Sequence, residues 1–366
     1  MKKGIKFRAY PNREQKNFID RTLGCCRLVY NKYLAIRKEV YTNNKERIGY
    51  NKTCSMLTEL KKSEEYAFLH EADSVALQQS LKDLDRAFQN FFKKRTRYPR
   101  FKSKVDNHQS YRTISKSIRI EEKCIKLPKL GLLRIEQSME VRKINNVTVE
   151  KTSTGKYFVI LNVDFEPGKR SNKDFKIIGI DVGIKEFYTD SNGNSVDNPK
   201  YLEKLEQRLC REQRKLSRKK KGSNNCDKQR IKVAKIHEKI RNQRNDFLQK
   251  QSTILINENQ TICVESLNIK GMLKNKKLAK HISSVAWSKF FDMLEYKASW
   301  YGNEILKVPT MYPSSQICSH CGYKNPIVKN LSIRKWECPM CHTKHNRDKN
   351  ASINILKKCL DEDQKG

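Results

Sequence analysis

Long apolar runs are missing from this sequence. The longest stretches, such as FVILNV at 158–163, are strand-sized and far short of the ~20 residues of a membrane helix, so no membrane partner is expected. The opening residues, MKKGIKFRAYPN, carry no apolar segment of the secretory kind, and a cytoplasmic, nucleoid-associated location is expected. There is no internal repeat and no low-complexity tract, which excludes a repeat array. Acidic residues are also scarce: 40 Asp and Glu stand against 77 Lys and Arg, a formal net charge of +37. A surplus of that size repels itself in the compact state and calls for a polyanionic partner, of which nucleic acid is the usual one. Hydrophobic residues make up only 37%, but Phe, Tyr and Trp reach 9%, enough for a packed core and against a disordered chain. At 366 residues, roughly two to three domains fit.

Twelve cysteines are present, and without a signal peptide they read as reduced thiols, not disulfides. Four of them stand apart. Cys318 and Cys321 form one CxxC, Cys338 and Cys341 a second, and the gap between the pairs is that of a zinc ribbon. Each CxxC makes a tight turn that aims two thiolates at one point. Two such turns close a tetrahedral shell with no open position, which points to structural Zn²⁺. Gly322 and Pro339 suit the turns. His320, His342 and His345 lie close by and read as surface or phosphate-contacting residues.

Along the chain, GIKFRAY at 4–10 is a short strand. A helical region follows to about residue 95, clearest in SVALQQSLKDLDRAFQNFFKK, where Val75, Leu77, Leu81, Leu84, Phe88, Phe91 and Phe92 recur at helical spacing. From about 97 to 170 the pattern is strand-like, with a TSTGK turn joining two strands, and suggests a small antiparallel barrel or sheet into which the first strand pairs. Next comes IIGI, a buried strand ending at Asp181, then EFYTD and the hairpin-turn signal SNGN. Residues 199–257 are two long charged helical patterns. The tip between them, RKLSRKKKG, offers Arg218, Lys219 and Lys220 as phosphate contacts. TICVESLNI is another buried strand, SVAWSKFFDMLEYKASWYG a helix with Trp287, Phe290, Phe291, Leu294 and Tyr296 inward, EILKVP a strand, and KNASINILKKCL a closing helix.

Three acidic residues hold special positions. Asp181 ends one buried strand, Glu265 closes the apolar run of another, and Asp348 starts the last helix. Singly, an Asp at a helix start is an N-cap and a Glu after a strand is a solvated edge. Together, with a strand–hairpin–strand unit before a helix, a second buried strand and a closing helix, they describe an RNase H-like α/β sheet in which the carboxylates converge. Phosphodiester hydrolysis by two divalent ions needs such a cluster, and hard oxygen ligands select Mg²⁺ or Mn²⁺.

The motifs resemble those of the TnpB family of transposon-encoded RNA-guided nucleases, related to compact type V CRISPR effectors. GIDVGIKEFYTDSNGN is similar to its first RuvC motif and VESLNIKGMLKNKKLAKHISSVAWSKFFDMLEYKASWYG to the second. SSQICSHCG, WECPMC and NRDKNASINIL resemble its zinc element and third motif, while ALQQSLKDLDRAFQNFF and YPRFKSK resemble its helical recognition region and exit. The resemblance implies a multidomain α+β protein. A β-barrel wedge domain would take 1–10 and 97–170, and a helical recognition domain 11–96. A RuvC-like nuclease domain would take 171–315 and 344–366, with a zinc ribbon inserted at 316–343. It implies Asp181, Glu265 and Asp348 as the Mg²⁺- or Mn²⁺-holding triad, and Cys318, Cys321, Cys338 and Cys341 as zinc ligands. It also implies a monomer bound to a guide RNA and a target DNA duplex, as heteroduplex and displaced strand, cut beside a short adjacent motif. Tyr98, Arg100, Phe101 and Lys102 would then stack on bases and bind phosphate, and Gln78 and Gln79 would read base edges. Two positions depart from the family pattern: Ser266 follows Glu265 where Asp is common, and Asn346 stands where the family often has Asp. Both changes imply tuning, not loss. The rival readings are a nuclease-inactive RNA-guided repressor, a transposase, whose carboxylates usually run Asp-Asp-Glu, and a zinc-ribbon DNA-binding protein.

Overall fold

The computed structural model describes the chain apart from residues 107, 142, 167–175, 311 and 364–366 and the side chains of 362 and 363. It divides into two compact units, Met1–Phe165 and Glu166–Gly366. The expected junction at 170/171 lies outside the described residues.

In the first unit, β1 (Lys2–Ala9) alternates, with Phe7 and Ala9 buried and Lys6 and Arg8 outward, as a half-buried strand requires. Asn12 then starts α1 (Arg13–Asn44) through a capping box: its Oδ1 accepts from the Gln15 amide at 2.8 Å, and its own amide donates to Gln15 Oε1 at 3.1 Å. After α2 (Tyr50–Leu60), Asp73 caps α3 (Ser74–Phe92). The α3 stripe buries Ala76, Leu77, Leu81 and Leu84 but opens at its C-terminal end, where Phe92 is 55% exposed. The helices are an excursion between β1 and β2 (His108–Thr113). Then follow β3 (Arg119–Glu121), β4 (Cys124–Leu127), β5 (Gly131–Glu136), β6 (Ile144–Thr152) and β7 (Tyr157–Asp164). The seven strands form one antiparallel sheet in the order β2-β6-β7-β1-β5-β4-β3, and β1 pairs with β7 along its whole length. Among the described residues no ladder joins β2 to β3, so of the two forms expected, barrel or sheet, the hydrogen bonding is that of a sheet.

The second unit starts with β8 (Ile177–Val182), β9 (Glu186–Asp190) and β10 (Ser195–Asp197). The SNGN turn places Gly193 at φ 96°, a left-handed value that glycine adopts without strain. The helical hairpin α4 (Tyr201–Ser217) and α5 (Asn224–Glu258) follows, then β11 (Thr261–Glu265), α6 (Ile269–Met272), α7 (Ala279–Val285), α8 (Trp287–Tyr301) and β12 (Glu304–Val308). Two expectations change here. The strand expected at 261–269 stops at Glu265, and the helix expected across SVAWSKFF is broken at Ala286, which takes a left-handed φ of 60°. Trp287, Phe290 and Leu294 are buried as expected, while Phe291 and Tyr296 pack at the edge of the same cluster. The chain closes with β13 (Lys335–Glu337), β14 (Lys344–Asn346) and α9 (Arg347–Asp363).

The sheet order is β10-β9-β8-β11-β12, with β8, β11 and β12 parallel and the β9–β10 hairpin antiparallel. Its two faces are covered differently. Ile178, Ile180, Ile262 and Val264 pack against α5 and α8, through Leu248, Leu255, Phe290 and Leu294. Cys263 and Val308 face Ile355 and Cys359 of α9. Strands covered on both sides read as continuous apolar runs, which is why IIGI and TICV stood out.

Candidate active site and metal knuckle

Alternation along the strands sets where the carboxylates point. Gly179 faces α9, so Asp181, two residues on, projects to the same face. Cys263 faces α9, so Glu265 does too. The parallel register pairs Val264 with Ile180, which puts Glu265 and Asp181 side by side at the C-terminal ends of neighbouring strands. Helix α9 reaches this edge because Gly179 has no side chain: a Cβ there would lie 2.3 Å from the Ser352 carbonyl oxygen and 2.9 Å from the Leu356 amide nitrogen. Gly179→Ala therefore lifts α9 off β8. A loss of about 1–3 kcal/mol is expected, as for overpacked cores, measured by chemical denaturation. A variant as stable as the parent would show that the close approach is not needed.

Asp181 feels both of the other carboxyl groups. Burial pushes Asp181 well above the usual carboxylate range, and the charges of Asp348 and then Glu265 push it further, while Arg347 and Arg334 pull it back. Burial pushes Glu265 up to about 7. Asp348 is held differently: one guanidinium nitrogen of Arg334 donates to both of its oxygens, at 3.1 and 3.2 Å. The trio shares one end of the sheet but is not drawn into a single ligand shell. Among the described residues, the four cysteines are the one set of three or more His, Cys, Asp or Glu side chains whose ligand atoms all lie within 4.8 Å of one another. Next to Arg334 opens a cleft of about 620 Å³, lined also by Ile184, Lys185, Lys200, Lys280 and His281 and by two carboxylates, Glu203 and Glu206.

Asp348 is not the cap of its own helix. Asn346 is, with Oδ1 accepting from the amides of Asp348 at 3.0 Å and Lys349 at 3.2 Å. Position 346 thus has a structural use, which Asp would serve as well as Asn. At Ser266, the backbone amide donates to the Val308 carbonyl at 3.0 Å.

Cys318, Cys321, Cys338 and Cys341 sit on two matched knuckles. In each, the amide after the second cysteine donates to the first cysteine's carbonyl: Gly322 to Cys318, and His342 to Cys338, both at 2.9 Å. Both residues are left-handed, Gly322 at φ 79° and His342 at φ 55°. The Cys318–Cys341 and Cys321–Cys338 sulfurs are 3.6 Å apart. A tetrahedral ion with ~2.3 Å metal–sulfur bonds needs edges of about 3.8 Å, so the thiols fit a tetrahedral metal. The Thr343 hydroxyl and amide pull the Cys341 thiol down, while burial holds Cys318 up and the neighbouring thiols hold Cys321 up.

The knuckle histidines divide. His320 and His342 are exposed, as expected, and His342 faces Glu337. His345 is not a surface residue: it is 9% exposed, with Nε2 at 3.0 Å from Cys318 Sγ and its ring 4.6 Å from that of Trp336. Helix α9 also grips the first knuckle. Asn350 accepts from the Ser319 amide at 2.9 Å and donates to the Ile317 carbonyl at 2.7 Å, and Asn354 donates to the carbonyls of Ser314 and Ile317. These asparagines are poor helix formers spaced i, i+4 on one face, a signal that sequence reading could have used.

The residues expected at nucleic acid are placed as follows. On α3, Gln78 is exposed and Gln79 partly so. Tyr98 lies edge-on to Phe88 and Phe91, 5.6 and 5.3 Å between centroids, and Arg100 and Phe101 are exposed. Lys102 is engaged within the protein: Asn31 clasps its backbone at 2.8 and 2.9 Å, and its ammonium lies 4.2 Å over Tyr30. Arg218, Lys219 and Lys220 are exposed at the α4–α5 tip. Sequence reading missed a basic groove of about 490 Å³ along that hairpin, lined by Arg208, Lys215, Lys232, Lys235 and Lys239. The last three follow helical spacing.

Known proteins bear on this arrangement. A family model described as "Probable transposase" matches residues 146–276, and "Cas12f1-like, TNB domain" matches 287–355. "Helix-turn-helix domain" matches 1–46, where the structure has β1 and one unbroken helix. A chain in a cryo-EM structure described as the Cas12f1-sgRNA-target DNA complex shares the fold, with a TM-score of 0.61 over 97% of this chain and 98% of that one at 13% identity. An Escherichia coli K12 protein named "Putative RNA-guided DNA endonuclease InsQ" is 34% identical over 96% of this chain and 91% of its own. A Streptomyces pristinaespiralis protein named "Putative RNA-guided DNA endonuclease" is 40% identical over 97% of this chain and 89% of its own. With a likeness of that depth running nearly end to end, the chain belongs to the TnpB (OrfB_IS605) family.

Proposed function

We propose that this protein is an RNA-guided DNA endonuclease that pairs a guide RNA with target DNA beside a short adjacent motif and cuts it in an RNase H-like, RuvC-type site. The observation that carries the reading is Asp181 and Glu265 side by side on the α9 face, electrostatically coupled to Asp348. The sheet order, with three parallel strands and an antiparallel hairpin, supports the RNase H-like description. The relatives' names and the charge of +37 support nucleic-acid partners. The wedge (1–10, 97–170), recognition (11–96) and nuclease (171–315, 344–366) divisions are part of the same reading, with Zn²⁺ in the 316–343 ribbon.

The donor chemistry suits a hard divalent ion: Asp181, pushed toward its protonated form by burial and by the other two carboxyls, and Glu265, pushed the same way by burial, gain by exchanging a proton for a cation. Bound there, Mg²⁺ or Mn²⁺ supplies an activated water and stabilises the leaving oxygen. Asp181 and Glu265 would hold the ions from the rigid strands, and Asp348 from α9. Arg334 keeps the Asp348 charge compensated until then. Lys185 and Lys200 line the adjoining cleft, where a phosphate backbone would run, while its Lys280 is paired with Glu206. The intact trio favours cleavage over a nuclease-inactive repressor, and its Asp-Glu-Asp order disfavours a transposase.

Two measurements test this. Expression with native flanking DNA should yield one discrete co-purifying RNA that directs Mg²⁺-dependent cleavage of a matched duplex. Heterogeneous RNA and no directed cut would favour a plain DNA-binding protein. The second is a pH dependence. Glu265 and Asp181 keep their protons in the folded, metal-free site at pH values where an unfolded chain has ionised its carboxyls, near pH 4. Their contribution to stability is therefore present at low pH and lost as pH rises through about 7, the Glu265 value. Mg²⁺ should raise Tm little at pH 5.5 and by several degrees at pH 8, at roughly 2–4 °C per kcal/mol for a domain of this size. Equal shifts at both values would mean that these carboxyls do not take the ion.

A further inference from the structure

We propose that His345 is a positioning residue that ties the ribbon's metal to the placement of Asp348. The inference rests on the reading of Asp348 as a metal-holding carboxylate.

His345 touches the metal set directly. Its Nε2 lies 3.0 Å from Cys318 Sγ, and a thiolate there can only accept, so Nε2 carries the proton and donates it. A metal shell of four thiolates holds excess negative charge, and N–H···S bonds from outside the shell offset it and fix the ligand's orientation. The ring cannot swing away. It lies against Trp336, and β13 and β14 pair Trp336 with His345 across the ladder.

The other end of the link is one residue away. Asn346 follows His345 and caps α9 through the amides of Asp348 and Lys349. A displacement of His345 moves the cap, and with it the first turn of α9 and its carboxylate. The grip on Cys318 is two-sided, because Asn350 and Asn354 of the same helix hold the backbone at Ile317 and Ser319. The knuckle and the first two turns of α9 thus form one hydrogen-bonded block, which a bound metal would join through Cys318. Zinc in the ribbon would order a carboxylate that it never contacts.

The test uses the full-length protein. His345→Leu keeps the volume and removes the donor, while His345→Gln retains an N–H. Transfer of zinc to a chromophoric chelator and hydrogen exchange at the Asp348 and Lys349 amides are measured for both. His345→Leu should release zinc about 10–100-fold faster and exchange faster at those two amides, with His345→Gln nearer to wild type. Zinc release at the wild-type rate, or faster release with unchanged exchange, would overturn the coupling. In the wild-type protein, stripping zinc should raise exchange at the same amides, and no change there would also overturn it, even if the Leu variant does not fold. Asp181→Ala should release zinc at the wild-type rate. If that variant still cuts, the nuclease assignment fails while the coupling stands.

Discussion

Asp181→Ala loses guided DNA cleavage and gains thermal stability at neutral pH. The rate should fall on the order of 10³-fold or more, beyond the 10–100-fold of an outer-shell contact. Binding of RNA and DNA should stay close to wild type, because Asp181 lies among carboxylates and offers no contact that phosphate would favour. The gain in stability comes from the same surroundings. Burial, Asp348 and Glu265 all push Asp181 away from its charged form, so the folded metal-free protein carries a strained carboxyl that alanine removes. Sites held for function commonly cost stability in this way. Asp181→Asn separates the two effects: it keeps the shape, removes the charge, and should be equally inert. Cleavage by either variant at the wild-type rate would move the active centre elsewhere.

Much of this site was legible because strands buried on both faces leave a plain trace. IIGI and ICV are apolar at every position, so the first acidic residue after each marks the exposed end of the sheet. Gly179 carried a further trace, since a glycine inside a strand often marks a close backbone approach. Other features were hidden for physical reasons. Ala286 is a good helix former, and nothing local announces its left-handed break, which comes with Trp287 and Phe290 entering the core. His345 sits in the polar stretch CHTKHN, and its burial is created by Trp336, nine positions back and opposite it in the ladder. Arg334 meets Asp348 only because its backbone carbonyl accepts from the Arg347 amide at 2.8 Å, extending that ladder by one step. Lys102 shows the converse. Its basic, aromatic context reads as a phosphate contact; the residue is exposed, but Asn31 of α1 holds its backbone and its ammonium lies over Tyr30, neighbours that only the fold brings to it.

Cys338→Ser should also lose cleavage, but with the opposite change in stability. The ribbon has little core of its own: Val328 and Trp336 are buried there with Cys318 and Cys338, and Ile333 and Cys341 pack at the edge. So few apolar side chains cannot offset the conformational entropy of ordering a segment of this length, and metal binding has to supply the difference. In small zinc modules that term is about 10–16 kcal/mol at neutral pH. Cys338 is fully buried and its sulfur is 3.6 Å from that of Cys321, so serine removes one of the four thiolates from the inside of the shell. The expected outcome is a purified protein short of one zinc per chain, a lower Tm, and proteolysis within 316–343. Cleavage falls because the knuckle that Asn350 and Asn354 bind is no longer there to hold α9 in place. Two inert variants are thus told apart by the sign of their Tm shift, upward for Asp181→Ala and downward for Cys338→Ser. A zinc-free Cys338→Ser protein that melts and cuts like wild type would mean that the sheet alone holds α9, through the close approach at Gly179 and the packing of Ile355 and Cys359 on Cys263 and Val308.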